Sequence, residues 1–263
     1  AYVPLVVLLH GSGWHGGAYI GLGSALNTVH GLEVLIPDLR GHGPAPTRRG
    51  DIDYIGQLED DIADLLHAHG AADKPVYLVG HSSGGGLAIR FAGGQYGEML
   101  NKVVLIAPFL KHDAPTARRA GSGSGEGEGT NSWAHVLMRR LIGQIMLDSV
   151  GITAFNGMPV IQFSFPEHVL TGALGDTATR HYSYRLNTSF APRNDYLADV
   201  AKLPEFLLIA GAQDEVFRSY AYESTLSAGN PCGKYRLLQG VSHLGVIDDA
   251  QAIEVMGQFL TAD

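Results

Sequence analysis

Short apolar runs bounded by glycine, proline or charged residues recur along the chain. Runs of this length are too short for most helices and are typical of strands that are buried on both faces. The pattern predicts strands at residues 4–9, 33–36, 76–79, 102–106, 205–209 and 235–238.

Between several of these runs, apolar residues recur at the three- and four-residue spacing of a helix. In the clearest case one face is formed by Ile55, Leu58, Ile62, Leu65 and Leu66, and other sides carry Glu59, Asp60 and Asp64. Strands that alternate with helices imply right-handed crossovers and a mainly parallel sheet covered on both faces. The predicted class is therefore α/β.

The alternation stops between residues 109 and 202, although aromatic and aliphatic residues stay frequent there. We expect an inserted cap at 109–202 and a core formed by 1–108 and 203–263. The alternative is that the inserted residues only thicken the core. Within the insertion, the glycine-rich run 121–129 is costly to order and is predicted to be a mobile surface loop. Asn131 is predicted to cap a helix that ends near Asp148.

Composition limits the classes of function. The 263 residues, 45% hydrophobic and 17% charged, fit one globular domain, and a net charge of -8 disfavours nucleic-acid binding. Cys232 is the only cysteine, so no intramolecular disulfide is expected. No apolar run reaches the roughly 18 residues of a membrane helix. A cytosolic location fits these features, while a start at Ala1 rather than methionine is compatible with removal of an upstream segment.

The sequence Gly-His-Ser-Ser-Gly at 80–84 follows a predicted strand and precedes a helical segment. This is the context of a nucleophile elbow, in which a sharp turn exposes a serine above the sheet. Ser82 is the candidate nucleophile, and larger side chains at Gly80 and Gly84 would collide in such a turn. The backbone N–H of Ser83, at the start of the helix, is a candidate oxyanion donor. A glycine-rich turn without chemistry is the alternative.

At this point the chain resembles the α/β-hydrolase superfamily, whose triad members occur in the order serine, acid, histidine. The resemblance implies that Asp214 and His243, which both follow late predicted strands, complete a triad with Ser82. His243 would be the general base, and Asp214 would orient it and stabilise the imidazolium. Asp113 is an alternative acid, whereas Glu215 is expected to point to a different side. Asp214 as a helix cap and His243 as a surface residue are the non-catalytic alternatives.

The loop after the first predicted strand reads His-Gly-Ser-Gly-Trp at 10–14 and is similar to the His-Gly-x-x motif of the superfamily. That resemblance implies the Ser12 backbone N–H as the second oxyanion donor, with His10 as a structural residue. The same loop also matches a dinucleotide-binding fingerprint, with Asp38 at the end of the next strand. Bulky Trp14 and His15, where a pyrophosphate would approach the backbone, disfavour that alternative.

Within the superfamily, Arg-Gly-His-Gly-Pro at 40–44 and the acidic positions that follow are similar to the serine-aminopeptidase-like branch, which includes monoacylglycerol lipases and lysophospholipases. The chain departs from this branch at residues 44–46. The resemblance implies hydrolysis of carboxylic esters through an acyl-enzyme, without a cofactor or a metal. An amidase or peptidase with the same triad and a non-catalytic receptor are the alternatives. A small-molecule ester is expected to bind an apolar wall formed by Leu141, Ile145, Phe155, Met158, Phe163, Phe165 and Tyr184.

Overall fold

The computed structural model describes residues 3–118, 133–172 and 174–262. A six-stranded, fully parallel sheet forms its centre, in the order β2-β1-β3-β4-β8-β9. The predicted mainly parallel sheet is confirmed, with strand bounds within two residues of those expected. The strands of the described chain are β1 Leu5–Leu9, β2 Glu33–Leu35, β3 Val76–His81, β4 Lys102–Ile106, β5 Ala134–Val136, β6 Pro159–Phe163, β7 His181–Ser183, β8 Glu205–Gly211 and β9 Lys234–Leu238.

Both faces of the sheet are covered, because successive side chains of a strand point to opposite faces. In β1, Leu5, Val7 and Leu9 pack in one core cluster, whereas Val6 and Leu8 pack in the other. Complete burial of one such side chain contributes about 1.5–3 kcal/mol, so an unbroken apolar run stabilises a strand in the centre of the sheet.

Helices cover both faces of the sheet and pack against it through the two core clusters. Of the helices in the described residues, none is long and apolar enough to cross a membrane. They are α1 Ile20–His30, α2 Gln57–Ala68, α3 Ser83–Gly93, α4 Met138–Ser149, α5 Glu167–Leu170, α6 Tyr184–Phe190, α7 Tyr196–Val200, α8 Tyr222–Leu226 and α9 Ala250–Thr261.

Helix α2 buries the predicted apolar face, including Leu58 and Ile62, and it also buries Glu59, which the pattern placed on another side of the helix. The Glu59 carboxylate accepts hydrogen bonds from Arg90 at 2.7 Å and from Arg193 at 2.8 Å. Burial raises the pKa of Glu59, and the two guanidinium groups oppose that shift. Glu59 can be buried because the two guanidinium groups replace the hydrogen bonds that its carboxylate would make with water.

The segment of the chain that joins β4 to β8 forms a second sheet. Strands β5, β6 and β7 pair antiparallel, with Ala134 opposite Phe163 and Ile161 opposite Tyr182. The sequence pattern predicted no strands here, because two of the three have only three residues. Helix α4 begins at Met138, so the predicted start near Asn131 was wrong for the described part, where β5 precedes the helix. Asn131 itself and the predicted mobile run 121–129 lie outside the described residues.

Candidate active site

Ser82 occupies the sharp turn between β3 and α3. Its backbone has φ 54° and ψ -119°, a conformation that costs a residue with a side chain on the order of 1–3 kcal/mol. Besides bonds within the first turn of α3, two hydrogen bonds hold it there: the Ser82 N–H donates to the Ile106 carbonyl at 2.9 Å, and the Phe109 N–H donates to the Ser82 carbonyl at 2.9 Å. The end of β4 and the loop that follows it therefore fix the strained serine from both sides.

The two glycines of the predicted elbow are required by close backbone contacts. A Cβ atom at Gly80 would lie 2.3 Å from the Gly84 carbonyl oxygen, and one at Gly84 would lie 2.3 Å from the Leu9 carbonyl oxygen. Neither backbone atom can move away as the end of a flexible side chain can. The turn thus draws β3, α3 and the end of β1 together around Ser82.

The loops after β8 and β9 bring Asp214 and His243 together. Asp214 Oδ2 lies 2.8 Å from His243 Nδ1, and both residues are buried. Its second oxygen, Oδ1, accepts from the backbone N–H groups of Val216 at 2.8 Å and Phe217 at 2.7 Å. An ionised carboxylate only accepts, so Nδ1 of His243 donates to Asp214, and Nε2 is the ring nitrogen that the carboxylate leaves free.

Glu215 also holds His243, which the sequence did not predict. Its Oε2 accepts from the backbone N–H of His243 at 3.0 Å, so neighbouring acidic residues fix the side chain and the main chain of one histidine. The Phe217 ring packs edge-on against the imidazole, with centroids 5.2 Å apart. The alternative acid Asp113 instead lies 3.5 Å from Lys111, with its side chain 59% exposed.

The two residues predicted to donate to an oxyanion are neighbours in space, with Ser12 in the loop after β1 and Ser83 at the start of α3. The hydroxyl oxygens of Ser12 and Ser83 are 2.5 Å apart, and a Cβ built on Gly11 would lie 3.3 Å from the Ser82 Cβ. Ser83 is the first residue of α3, so its N–H has no acceptor within the helix and lies at the positive end of the helix dipole. The loop after β1 thus packs directly against the serine turn.

A buried chain of hydrogen bonds connects the three loops. The Gly11 N–H donates to the Tyr19 hydroxyl at 3.0 Å, which lies 2.7 Å from His81 Nδ1. His81 Nε2 lies 3.1 Å from the His243 carbonyl, which only accepts, so Nε2 carries the proton and Nδ1 accepts from Tyr19. Burial lowers the pKa of His81 well below 6.5 and keeps the ring neutral. His81 stood in the elbow motif, but nothing in the sequence singled out Tyr19.

His10 lies in the loop as a fully buried ring. Its Nδ1 is 2.9 Å from the Gly11 carbonyl, its Nε2 accepts from the Leu39 N–H at 3.1 Å, and burial lowers its pKa to about 4. In the same loop, the Gly16 N–H that a pyrophosphate would need donates instead to Asp38 at 2.8 Å. The Gly16 N–H is therefore engaged within the protein and is not available to a phosphate.

The residues predicted to form an apolar wall fall into different environments. Ile145, Phe155 and Met158 are exposed, whereas Phe163 and Tyr184 are buried in packing. Phe165 packs against Trp14 of the loop after β1, with ring centroids 5.7 Å apart. Leu141 is partly buried.

The arrangement has a definite order along the chain: a serine turn after β3, a carboxylate after β8 and an imidazole after β9. Together with the parallel sheet, this is the architecture of an α/β-hydrolase. Residues 3–149 match the family model described as serine aminopeptidase, S33, and the chain belongs to that family.

Similar proteins include esterases and lipases. The chain is 39% identical to a probable protein phosphatase methylesterase 1 of Caenorhabditis elegans over 88 residues, which are 33% of this chain and 24% of that protein. It is 30% identical to a phospholipase of Bacillus subtilis over 108 residues, 41% of each chain. The chain thus matches less than half the length of each of these two relatives.

The fold has a close counterpart among solved structures. The crystal structure of a monoacylglycerol lipase from Paleococcus ferrophilus superimposes with a TM-score of 0.66. The match covers 98% of this chain and 93% of that one at 18% identity, and at this identity it shows the fold alone. The family and the relatives together support ester hydrolysis in general terms.

Proposed function

We propose that the chain is a serine hydrolase that cleaves carboxylic esters through an acyl-enzyme, with Ser82 as nucleophile, His243 as general base and Asp214 as its orienting acid. The observation that carries the proposal is the buried 2.8 Å contact between Asp214 and His243 on the loops after β8 and β9. A buried carboxylate that binds Nδ1 of a histidine is typical of a histidine that acts as a general base. The strained turn at Ser82 is typical of an exposed nucleophile.

In the proposed reaction, Nε2 of His243 takes the proton of the Ser82 hydroxyl while Oγ bonds to the ester carbonyl carbon. The carbonyl oxygen becomes an oxyanion, which the backbone N–H groups of Ser12 and Ser83 stabilise. The oxyanion collapses, the bond to the alcohol breaks, and His243 returns its proton to the leaving oxygen. Water then attacks the acyl-enzyme by the same steps and releases the acid.

The substrate is proposed to be a small-molecule ester with an apolar acyl or aromatic group. Phe165 supports this, because it packs beside the loop that carries Ser12, and exposed Phe155 and Met158 add apolar surface to the same insertion.

We also propose the division into a core at 1–108 and 203–263 and a cap at 109–202. The separate antiparallel sheet of β5, β6 and β7 supports this division.

The test compares Ser82→Ala with Ser24→Ala, a control on the exposed side of α1. Ser82→Ala should fold normally and lose at least about 10³-fold in kcat on a p-nitrophenyl ester, because the acyl-enzyme can no longer form. Ser24→Ala should retain wild-type kcat. A matched p-nitroanilide separates ester from amide preference, and the ester should be cleaved faster. Wild-type ester hydrolysis by Ser82→Ala would refute the proposal.

A further inference from the structure

Gly13, next to the proposed oxyanion donor Ser12, is held on both sides by residues of the segment between β6 and α6. The Thr179 N–H donates to the Gly13 carbonyl at 2.8 Å, and the Gly13 N–H donates to the Tyr182 hydroxyl at 2.6 Å. Gly13 has φ +75°, and a Cβ there would lie 2.7 Å from the ring of Phe165. The loop after β1 is therefore held by Tyr182 of β7 and by two residues of the segment that joins β6 to β7.

The direction of the bond between Gly13 and Tyr182 is set by His42. Nδ1 of His42 lies 3.2 Å from the Leu39 carbonyl and 3.1 Å from the Arg40 carbonyl, so it carries the ring proton. Burial lowers the pKa of His42 well below 6.5, so Nε2 is bare and accepts the Tyr182 hydroxyl proton at 2.7 Å. The lone pairs of the Tyr182 oxygen are then available to the Gly13 N–H.

Both neighbours of Ser12 use their N–H groups within the protein: the Gly11 N–H donates to Tyr19 and the Gly13 N–H donates to Tyr182. The Gly13 N–H is therefore not available to an oxyanion, and the Ser12 N–H is the donor that the proposed function assigns to this loop. The Ser12 hydroxyl, 2.5 Å from that of Ser83, ties the two proposed donors together. An error of about 1 Å in such a position costs on the order of 10²-fold in rate. The hydroxyl that anchors Gly13 therefore affects how well the oxyanion is held.

We propose that Tyr182 is a positioning residue of the oxyanion hole: its hydroxyl, bonded to His42, anchors Gly13 so that the Ser12 N–H meets the developing oxyanion. The inference rests on the proposed function and assigns the second sheet a part in transition-state stabilisation in addition to substrate contact. Tyr182 lies in β7, and its hydroxyl holds Gly13 in the same way as the Tyr19 hydroxyl holds Gly11.

The test is Tyr182→Phe, which removes the hydroxyl and keeps the ring packed on Phe163 and Phe190 at centroid distances of 4.7 and 5.7 Å. The matched control is Tyr235→Phe in β9, because the Tyr235 hydroxyl is buried without a hydrogen-bond partner among the described residues. Each variant is assayed for kcat and KM on a p-nitrophenyl ester. The inhibition constant of a trifluoromethyl ketone is measured too, because its serine adduct carries an oxyanion.

For Tyr182→Phe we expect kcat to fall about 10- to 100-fold with KM changed by less than about twofold. The ketone should bind more weakly by a similar factor, and the pH at which kcat/KM is half-maximal should not move, since His243 is untouched. Tyr235→Phe should match wild type in all four quantities.

Wild-type kcat in a folded Tyr182→Phe variant, or a loss that lies wholly in KM, would overturn the inference. Failure of the proposed function is distinct, because wild type itself would then neither cleave the ester nor bind the ketone. If Tyr182→Phe does not fold by circular dichroism, His42→Leu removes the acceptor of the Tyr182 proton. A loss of kcat without a change in KM would then support the inference, and wild-type kcat would overturn it.

Discussion

The carboxylate of Asp214 serves two groups of partners at once. Oδ2 faces His243 while Oδ1 caps the turn at Val216 and Phe217, so the capping and catalytic interpretations of this residue are compatible. The two N–H bonds lock the carboxylate in place before any substrate arrives. Such preorganisation keeps the imidazole in one tautomer at no cost during the reaction.

Asp214→Asn tests the residue that orients the proposed base. The amide oxygen can still cap the turn at Val216, but the amide NH₂ then faces Nδ1 and favours the wrong tautomer of His243. We expect kcat to fall by about 10³- to 10⁴-fold with the fold retained. Asp113→Asn, at the alternative acid, should change kcat by less than about twofold. A large loss in Asp113→Asn with little change in Asp214→Asn would reverse the assignment.

At the scale of elements, the sequence predicts the central sheet well because its four inner strands, β1, β3, β4 and β8, are apolar runs buried on both faces. The same criterion fails for the second sheet. Strands β5 and β7 have three residues each, and β6 has only two buried positions among its five. Runs this short do not register as strands in a pattern of hydrophobic positions. The start of α4 was misplaced for a related reason, since β5 occupies the turn that the pattern assigned to the helix.

In the candidate site, too, some residues could be predicted from the sequence and others could not. Ser82, Asp214 and His243 stand in motifs whose place after a strand can be read along the chain. The supporting groups cannot be read in this way, because their partners are distant in sequence: Tyr19 bonds His81 across 62 positions and Tyr182 bonds Gly13 across 169. Their roles arise only once loops from different strands meet at the same edge of the sheet.

At the scale of the molecule, three neutral histidines are buried around the site: His10, His42 and His81. Burial lowers the pKa of each, to about 4 for His10 and well below 6.5 for the other two. The unfolded chain binds protons on these rings near pH 6.5 while the folded chain does not, so acid favours unfolding. Glu59, whose pKa is raised, works in the opposite sense.

The free energy of unfolding should therefore decrease as pH falls below about 6.5, by roughly 1 kcal/mol between pH 7 and pH 5.5 for His10, whose pKa is lowered to about 4, with His42 and His81 acting in the same direction. Urea titrations at the two pH values measure this difference. His10→Gln should lower stability at both values but shrink the difference by one histidine's share. His67→Gln, an exposed control in α2, should keep the wild-type difference. Equal stability of wild type at both pH values would contradict this account.

The central claim is that Ser82 is a nucleophile activated by His243, and labelling with a fluorophosphonate tests it most directly. The wild-type chain and His243→Ala are incubated with the probe, and the modified residue is mapped by peptide mass spectrometry. We predict one adduct, on Ser82, that forms at least about 10²-fold more slowly in His243→Ala, because the general base is gone. An adduct on a different serine, or equal labelling rates in the two proteins, would contradict the account.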